Sequence, residues 1–583
     1  MSLLRVQSRW LKSFVPALVC AVLVPAFAGD VQVGPTGVAT AVPDVPAPPG
    51  QACVVPLFDN QPFADFTPKT FSYAPPPGCG GPWAKVVLEA DYRVTTGRQF
   101  DRTASIWIGG VNVYLGTTQE PSAAIAPSWH VEQDLTDYAS LLRQAQSGRT
   151  LLGNVVDGTY TGVIHGSARL VFYPGQAPNL PDRIVSLSND ANGDFNYIHD
   201  ATEHAGKTVT LPRNMTAIYM DVLAQSQSSD EFWYLCVPDS VADELYSCPG
   251  SGFREAVVYV DGQAAGVAPV YPWIYTGGVS PALWRPIPGV QTFNFKPFRV
   301  NLTPFAGQLN DGLPHRIELG VTNAQSYFAT TASLLVYQDK TRGVVSGGLL
   351  RNTLQADPGQ QDVIERPAAD HTIVGSTVNR DFTISGYVDT AQGRVQTSVR
   401  QTVAFDSSQD FVINDSRYSQ RLAQMTTIGV TTSTRAGNAA PTVVASQTFD
   451  YPLGFVYDDR YNADGSETLD ISADQAYVRG RALQMAGARL YSDGLSDHVT
   501  PAVRYNFGAD GSLVISPWTS AQAYGYSNSL GQCFSRRIAS DNYNVTSLVD
   551  GAGCPGSTNA YRWQPSVRAP LGLGNIGSVL WRW

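Results

Sequence analysis

The sequence predicts an all-β protein, on three observations. Aromatic residues fill 10 % of the 583 positions and charged residues only 15 %, while glycine (53) and proline (39) are plentiful. Such a composition suits short strands joined by tight turns. No long stretch sustains a helical period; many short segments alternate apolar and polar residues between Gly, Pro, Asn and Asp. A chain of this length is too long for one core, and roughly three domains are expected.

The first 28 residues read as a signal peptide. Arg5, Arg9 and Lys12 form a basic start, 14–24 an apolar run, and Ala26-Phe27-Ala28 a cleavage site. No later apolar run has the length to cross a bilayer, so a secreted or periplasmic product is expected, with no membrane partner. Losing those three cations takes the net charge from −10 to −13, which disfavours nucleic acid as a partner. Six cysteines remain, and an even count in an exported chain reads as disulfides. Neighbours in sequence suggest Cys53–Cys79, Cys236–Cys248 and Cys533–Cys554 among fifteen possible pairing schemes.

Residues 29–50, rich in Pro, Val and Ala, read as an extended leader without a fold of its own. A first β domain, 51–180, holds strand-like segments at 83–95, 103–115, 129–135 and 162–173, and closes near Pro174, Pro178 and Pro181. Its stretch GRQFDRTASIWIGG (97–110) alternates as a strand from Ala104, with Trp107 on the polar face and Asp101-Arg102 just ahead of it. A second β domain, 181–343, includes EAVVYVDGQAAGV, a hairpin turning at Asp261-Gly262. From 344 to 583 the texture shifts to long Thr/Ser/Val strands with sparse turns, and 579–583 is apolar enough to dock as a last strand.

Four stretches are candidates for chemistry. A carboxylate at a sheet rim beside a guanidinium, Asp101 with Arg102, suits catalysis, though a turn Asp is common. Ser228-Ser229-Asp230-Glu231-Phe232-Trp233-Tyr234 sets two acids against an aromatic run, the usual dress of a sugar site; the rings could equally be core. Asp157 in NVVDGTYTG either faces the same cleft or starts a turn. The irregular loop 271–288, with Trp273 and Trp284, is either functional or a plug. His199 and His204 in IHDATEH lack a zinc-hydrolase spacing, and no nucleophile elbow, P-loop or dinucleotide fingerprint is present; no metal or cofactor is expected. Sequons stand at Asn214, Asn301, Asn414 and Asn544.

WAKVVLEADYRVTTGRQFDRTASIWIGGVNVYLGTTQEP, HVEQDLTDYASLL, NVVDGTYTG, FREAVVYVDGQAAGV, YTGGVSPALWRPI and PFRVNLTPFAGQLNDGLPHRIEL, in this order, resemble the acidic peptide:N-glycanase family of the PNGase A type. The resemblance covers about Pro56 to Gln338 and is weaker beyond. A fainter likeness reaches the bacterial peptide:N-glycosidase F type. It implies two adjacent jelly-roll β-sandwiches, to which the strand texture of 344–583 adds a C-terminal β-rich region; no cofactor is expected. FDRTASIW is similar to that type's catalytic stretch, which puts the essential carboxylate on Asp101; SDEF puts a second on Glu231, and a third falls near Asp157. That type's Arg in a Trp-Arg-Glu-Asp run has no match in VYPWIYTGG. The resemblance implies an amidase acting on N-glycosylated peptides and proteins; a monomer is expected, and from the residues themselves Arg102, Trp107, Trp233, Trp273 and Trp284 are expected beside the substrate. Such an amidase would release Asp-peptide and a glycosylamine from a site between the sandwiches. An endo-acting glycoside hydrolase, which also needs two acids, and a non-catalytic glycan-binding protein are the alternatives.

Overall fold

The computed structural model describes residues 31–177, 179–437 and 442–563. The signal peptide, Pro178 and the expected strand 579–583 lie outside the described residues. The all-β expectation holds: short helical turns aside, the described chain is strands and loops, in five antiparallel sheets.

Two sheets form a first β-sandwich. One runs Cys53–Phe63, Ile164–Pro174, Trp83–Val94, Ser128–Asp134 across its width; the other runs Lys69–Tyr73, Gln146–Leu151, Thr103–Ile108, Val111–Thr117. Between them lies a core of its own, including Phe63, Trp83, Ile106 and Phe172. The strand Thr103–Ile108 alternates as its sequence suggests, yet beyond Thr103 it is buried on both faces. The reason is tertiary: residues 193–195 cover its polar face, with Phe195 edge-on to Trp107 at 5.3 Å.

A second sandwich follows. Arg183–Ser186, Tyr327–Gln338, Met215–Gln227 and Phe298–Asn301 make one sheet, joined by Asn196–Ile198. His204–Thr210, Pro314–Val321, Glu255–Val260 and Gln263–Pro269 make the other. Charge welds it to the first sandwich: Arg299 reaches Asp221 (2.7 Å) and Asp137 (2.6 Å), and the Tyr138 hydroxyl donates to Asp221 (2.7 Å). The TDY of HVEQDLTDYASLL therefore serves this joint.

The remaining strands form one meander of long antiparallel strands, such as Gly393–Asn414 and Glu467–Met485, with Ser346–Asn352 at one edge. In Gly393–Asn414 every second residue from Thr397 to Phe411 is buried, the period-2 signature of a sheet with one covered face. That face shares a single hydrophobic core with the second sandwich, so the sheet packs as a third layer upon it. The leader does not trail free. Gly34–Pro35 pairs with Asn544–Asp550, the Ala39 N–H donates to Pro286 O (2.7 Å), and Ala39 and Ala41 are buried. The three disulfides join Cys53 to Cys79, Cys236 to Cys248 and Cys533 to Cys554, as nearness in sequence suggests.

Candidate active site

Asp101 sits where the hairpin Thr103–Ile108/Val111–Thr117 extends past its last ladder pair. The Arg102 N–H donates to Thr118 Oγ1 (2.9 Å) and the Thr118 N–H to Arg102 O (2.9 Å), which fixes the backbone on either side. Across that extension comes Glu120, whose Oε1 accepts the Asp101 N–H at 3.3 Å. Glu120 is held by Arg285, Nη2 to Oε2 at 2.8 Å. Gly277 closes over both acids: a Cβ there would collide with Asp101 Oδ1 and Glu120 Oε1. Its N–H also donates to Asp101.

The opposite wall belongs to the second sandwich. Gln225 and Gln227 donate to Thr103 Oγ1 at 2.8 and 3.3 Å, which seats the strand leading to Glu231 directly beside Asp101. Ser228 then turns the chain with a left-handed φ of 58°. Asp230 points inward and is fully buried; it accepts the Gln325 and Ser326 N–H groups and pairs with the equally buried Arg254 at 3.1 Å. Its neighbour Glu231 is only partly buried and lies within reach of the Asp101 charge. Removing Asp230 would strand the Arg254 cation in a dry interior, which typically costs about 3–5 kcal/mol. Asp230→Ala is expected to lower stability by that order, read as a shifted urea midpoint, with activity falling through displacement of Glu231.

Burial dominates the electrostatics. It raises Asp101 above the ordinary aspartate value, opposed by the Gly277 N–H, the Asp101 N–H, Arg102 and Arg285. Glu120 is pushed up to about 8, first by burial, then by the Asp101 charge, with Arg285 pulling the other way. Glu231 is also pushed up to about 8, by burial and by the same Asp101 charge. That shared influence shows both glutamates within electrostatic reach of Asp101. Mutually repelling acids raise one another's proton affinity, so the three do not all ionise together, and a carboxylate can stand beside a carboxylic acid.

The other expected residues are placed differently. Asp157 builds a turn, its exposed Oδ1 accepting the Thr159 and Tyr160 N–H groups at 2.7 Å each. It thereby presents Tyr160, whose ring lies 5.2 Å from that of the exposed Phe100. Arg102 stays beside Asp101, bonded to Asn154 (3.2 Å) and over the Phe100 ring. The tryptophans are corrected outright: Trp107, Trp233, Trp273 and Trp284 are 0–6 % exposed and belong to the core. Trp273 stacks on Phe295 at 4.6 Å, and the Trp284 indole donates to Gly278 O (2.8 Å). Accessible rings come instead from Phe100 and Tyr160 on one wall and Tyr197 and Tyr327 on the other. His199 pairs with Glu203 at 2.8 Å.

Sequence reasoning missed Glu120, Arg285 and Gly277. All three stand in the quoted motifs, TTQEP, ALWRPI and YTGG, but nothing local marks them as neighbours of Asp101. A cleft of about 1640 Å³ is a different place. It lies behind the loop 271–292, between the leader, the first sandwich and the long sheet, and neither Asp101, Glu120 nor Glu231 lines it.

Comparison with known proteins yields one family. The family model described as peptide N-acetyl-beta-D-glucosaminyl asparaginase amidase A matches residues 46–354. The chain is similar to the peptide-N4-(N-acetyl-beta-glucosaminyl)asparagine amidase A of Prunus dulcis, 27 % identical over 524 residues, 83 % of this chain and 86 % of that one. Among solved structures, PNGase F of Flavobacterium meningosepticum aligns at 11 % identity and a TM-score of 0.35 over 50 % of this chain and 96 % of its own. PNGF-II aligns at 12 % and 0.36, over 50 % and 66 %.

Proposed function

Because the chain belongs to the peptide N-acetyl-beta-D-glucosaminyl asparaginase amidase A family, we propose that Asp101, Glu120 and Glu231 are the hydrolytic centre of an N-glycan amidase. The enzyme attacks the amide that joins an asparagine side chain to the innermost N-acetylglucosamine. The observation that carries this reading is the meeting of acids from both sandwiches: Glu120 accepts the Asp101 N–H and pairs with Arg285, and Glu231 lies within reach of the Asp101 charge.

Amide hydrolysis needs a base for water, a donor to the oxyanion and a proton for the departing nitrogen. Asp101 is the base: burial raises its proton affinity, which suits a base, while the Gly277 N–H, Arg102 and Arg285 oppose that shift and support the anion. Water held by Asp101 gives its proton to that carboxylate as its oxygen bonds the amide carbon. Arg285, already at the site through Glu120, faces the charge that develops on the carbonyl oxygen. Glu231, protonated below about 8, supplies the proton as the C–N bond breaks. The products are an Asp-peptide and a glycosylamine, which loses ammonia in water. Phe100 and Tyr160 offer ring faces on which a pyranose packs. The signal sequence and three disulfides support export of the enzyme, and no helix among the described residues is long and apolar enough to cross a membrane.

The test is a defined N-glycopeptide incubated with the protein. Asp at the former attachment point supports the amidase. A single sugar left on Asn would make it an endoglycosidase, and an unchanged glycopeptide that still binds would make it a glycan-binding protein.

Activity should fall as pH rises through about 8, when Glu231 and Glu120 lose their protons, and on the acid side as Asp101 gains one. Stability follows the same sign. Both glutamates bind protons more tightly folded than at the ordinary value of 4.5. Their contribution is complete below about 4.5 and is lost as pH rises through about 8. Glu120→Gln should flatten that slope, seen in urea midpoints compared at about pH 5 and pH 8. An unchanged slope would mean that Glu120 is already ionised across this range.

A further inference from the structure

We propose that the long C-terminal sheet is the jig that sets the two catalytic loops, and that Gln475 is the positioning residue for Gly277 and Arg285; this rests on the site reading above. Gly277 and Arg285 ride on the irregular loop 271–292, which hydrogen bonds of its own only partly fix. Val279, a β-branched residue, is held at a left-handed φ of 61°, and Gln291 at the same value. Such a backbone persists only where its surroundings over-determine it.

The surroundings are the sheet's inner face. Gln475, 0 % exposed in the strand Glu467–Met485, donates to Pro272 O at 2.7 Å and accepts the Val290 N–H at 2.9 Å. One side-chain amide thus staples both ends of the loop. Tyr505 meets Ser280, next to Val279, at 2.5 Å, and the Tyr543 hydroxyl accepts from Arg285 Nη1 at 3.3 Å.

The sheet is built to offer these bonds. Asp450 pairs with Val478 and Leu453 with Gln475, so Pro452 falls opposite Ala476 and has no N–H to give it. A proline inside a central strand normally argues against the strand; here the freed Ala476 carbonyl accepts the Tyr271 hydroxyl at 3.1 Å. Two further buried glutamines serve the other loop: Gln409 donates to Cys236 O (2.7 Å) and Gln420 to Leu235 O (3.1 Å), just past Glu231. Gln401 is a natural control, also buried but bonded to Val267 O within the sandwich strand Gln263–Pro269.

The full-length protein is compared with Gln475→Met and Gln401→Met by thermal melting, amide hydrogen exchange over 271–292, and the pH profile of glycopeptide turnover. Both variants should lose similar stability. Only Gln475→Met should speed exchange in the loop, lower kcat by about tenfold with KM little changed, and move the alkaline limb upward as Arg285 ceases to hold Glu120 down. If Gln475→Met does not fold, Tyr505→Phe, which removes one hydroxyl, should act in the same direction. Wild-type exchange and pH profile in the Gln475 variant, or the same changes in Gln401→Met, would overturn the proposal. A wild-type protein that forms no Asp product would overturn the amidase reading alone, because the exchange data still report the staple.

Discussion

Asp101→Asn is expected to abolish glycan release, by roughly a thousandfold or more, while the protein stays folded. General-base removal typically costs about 10²–10⁴ in rate, and here the lost charge does more than take a proton. Asn keeps the size of Asp and still accepts the Gly277 N–H, so the crevice keeps its shape. Since the Asp101 charge raises both Glu120 and Glu231, its loss should also let those glutamates ionise at lower pH. Two readouts therefore move together, turnover and the carboxyl titration, and they have different causes. Stability should hold or rise, because a buried carboxylate has been replaced by a neutral amide. Near-normal turnover in this variant, with the glutamates titrating as in the wild type, would remove Asp101 from the chemistry.

How far such a site is legible in sequence depends on the range over which each contact acts. Asp101 and Arg102 are visible because their position, just ahead of an alternating strand, is local information. The disulfides are visible for the same reason, spanning only 12 to 26 residues. Arg285 and Glu120 lie 165 residues apart, and no periodicity reports such a pair. Composition also cannot tell a sugar platform from a core: Trp233 and Trp284 look like binding aromatics and turn out to be packing, whereas the accessible rings near Asp101 are Phe100 and Tyr160. Asp157 shows a subtler limit. Its turn chemistry is readable, but not that the turn presents a ring. The long strands after residue 344 are evident from their Thr/Ser/Val texture. What their buried glutamines hold is not, since those partners are loops far away in sequence.

Gly277→Ala should cost activity about as heavily as losing an oxyanion donor, roughly a hundredfold, while barely changing stability. The two halves of that expectation come from one geometric fact. A Cβ at this position would meet the ends of the Asp101 and Glu120 side chains before any backbone atom. Carboxylate tips can swing aside, so the folded state accommodates the methyl group by rotating two side chains instead of breaking a packed core. In the proposed mechanism, however, the Asp101 tip is the base and the Glu120 tip holds Arg285, and a displacement of about 1 Å at a reacting centre is enough for a hundredfold loss. The glycine's backbone is not among the left-handed ones, so conformational strain adds nothing and the effect is steric. A melting temperature within a few degrees of wild type, with kcat reduced about a hundredfold and the alkaline limb displaced, is the expected signature. A large loss of stability would instead place the carboxylates in rigid structural roles. Full activity would mean that neither acid stands where the glycosidic amide is cut.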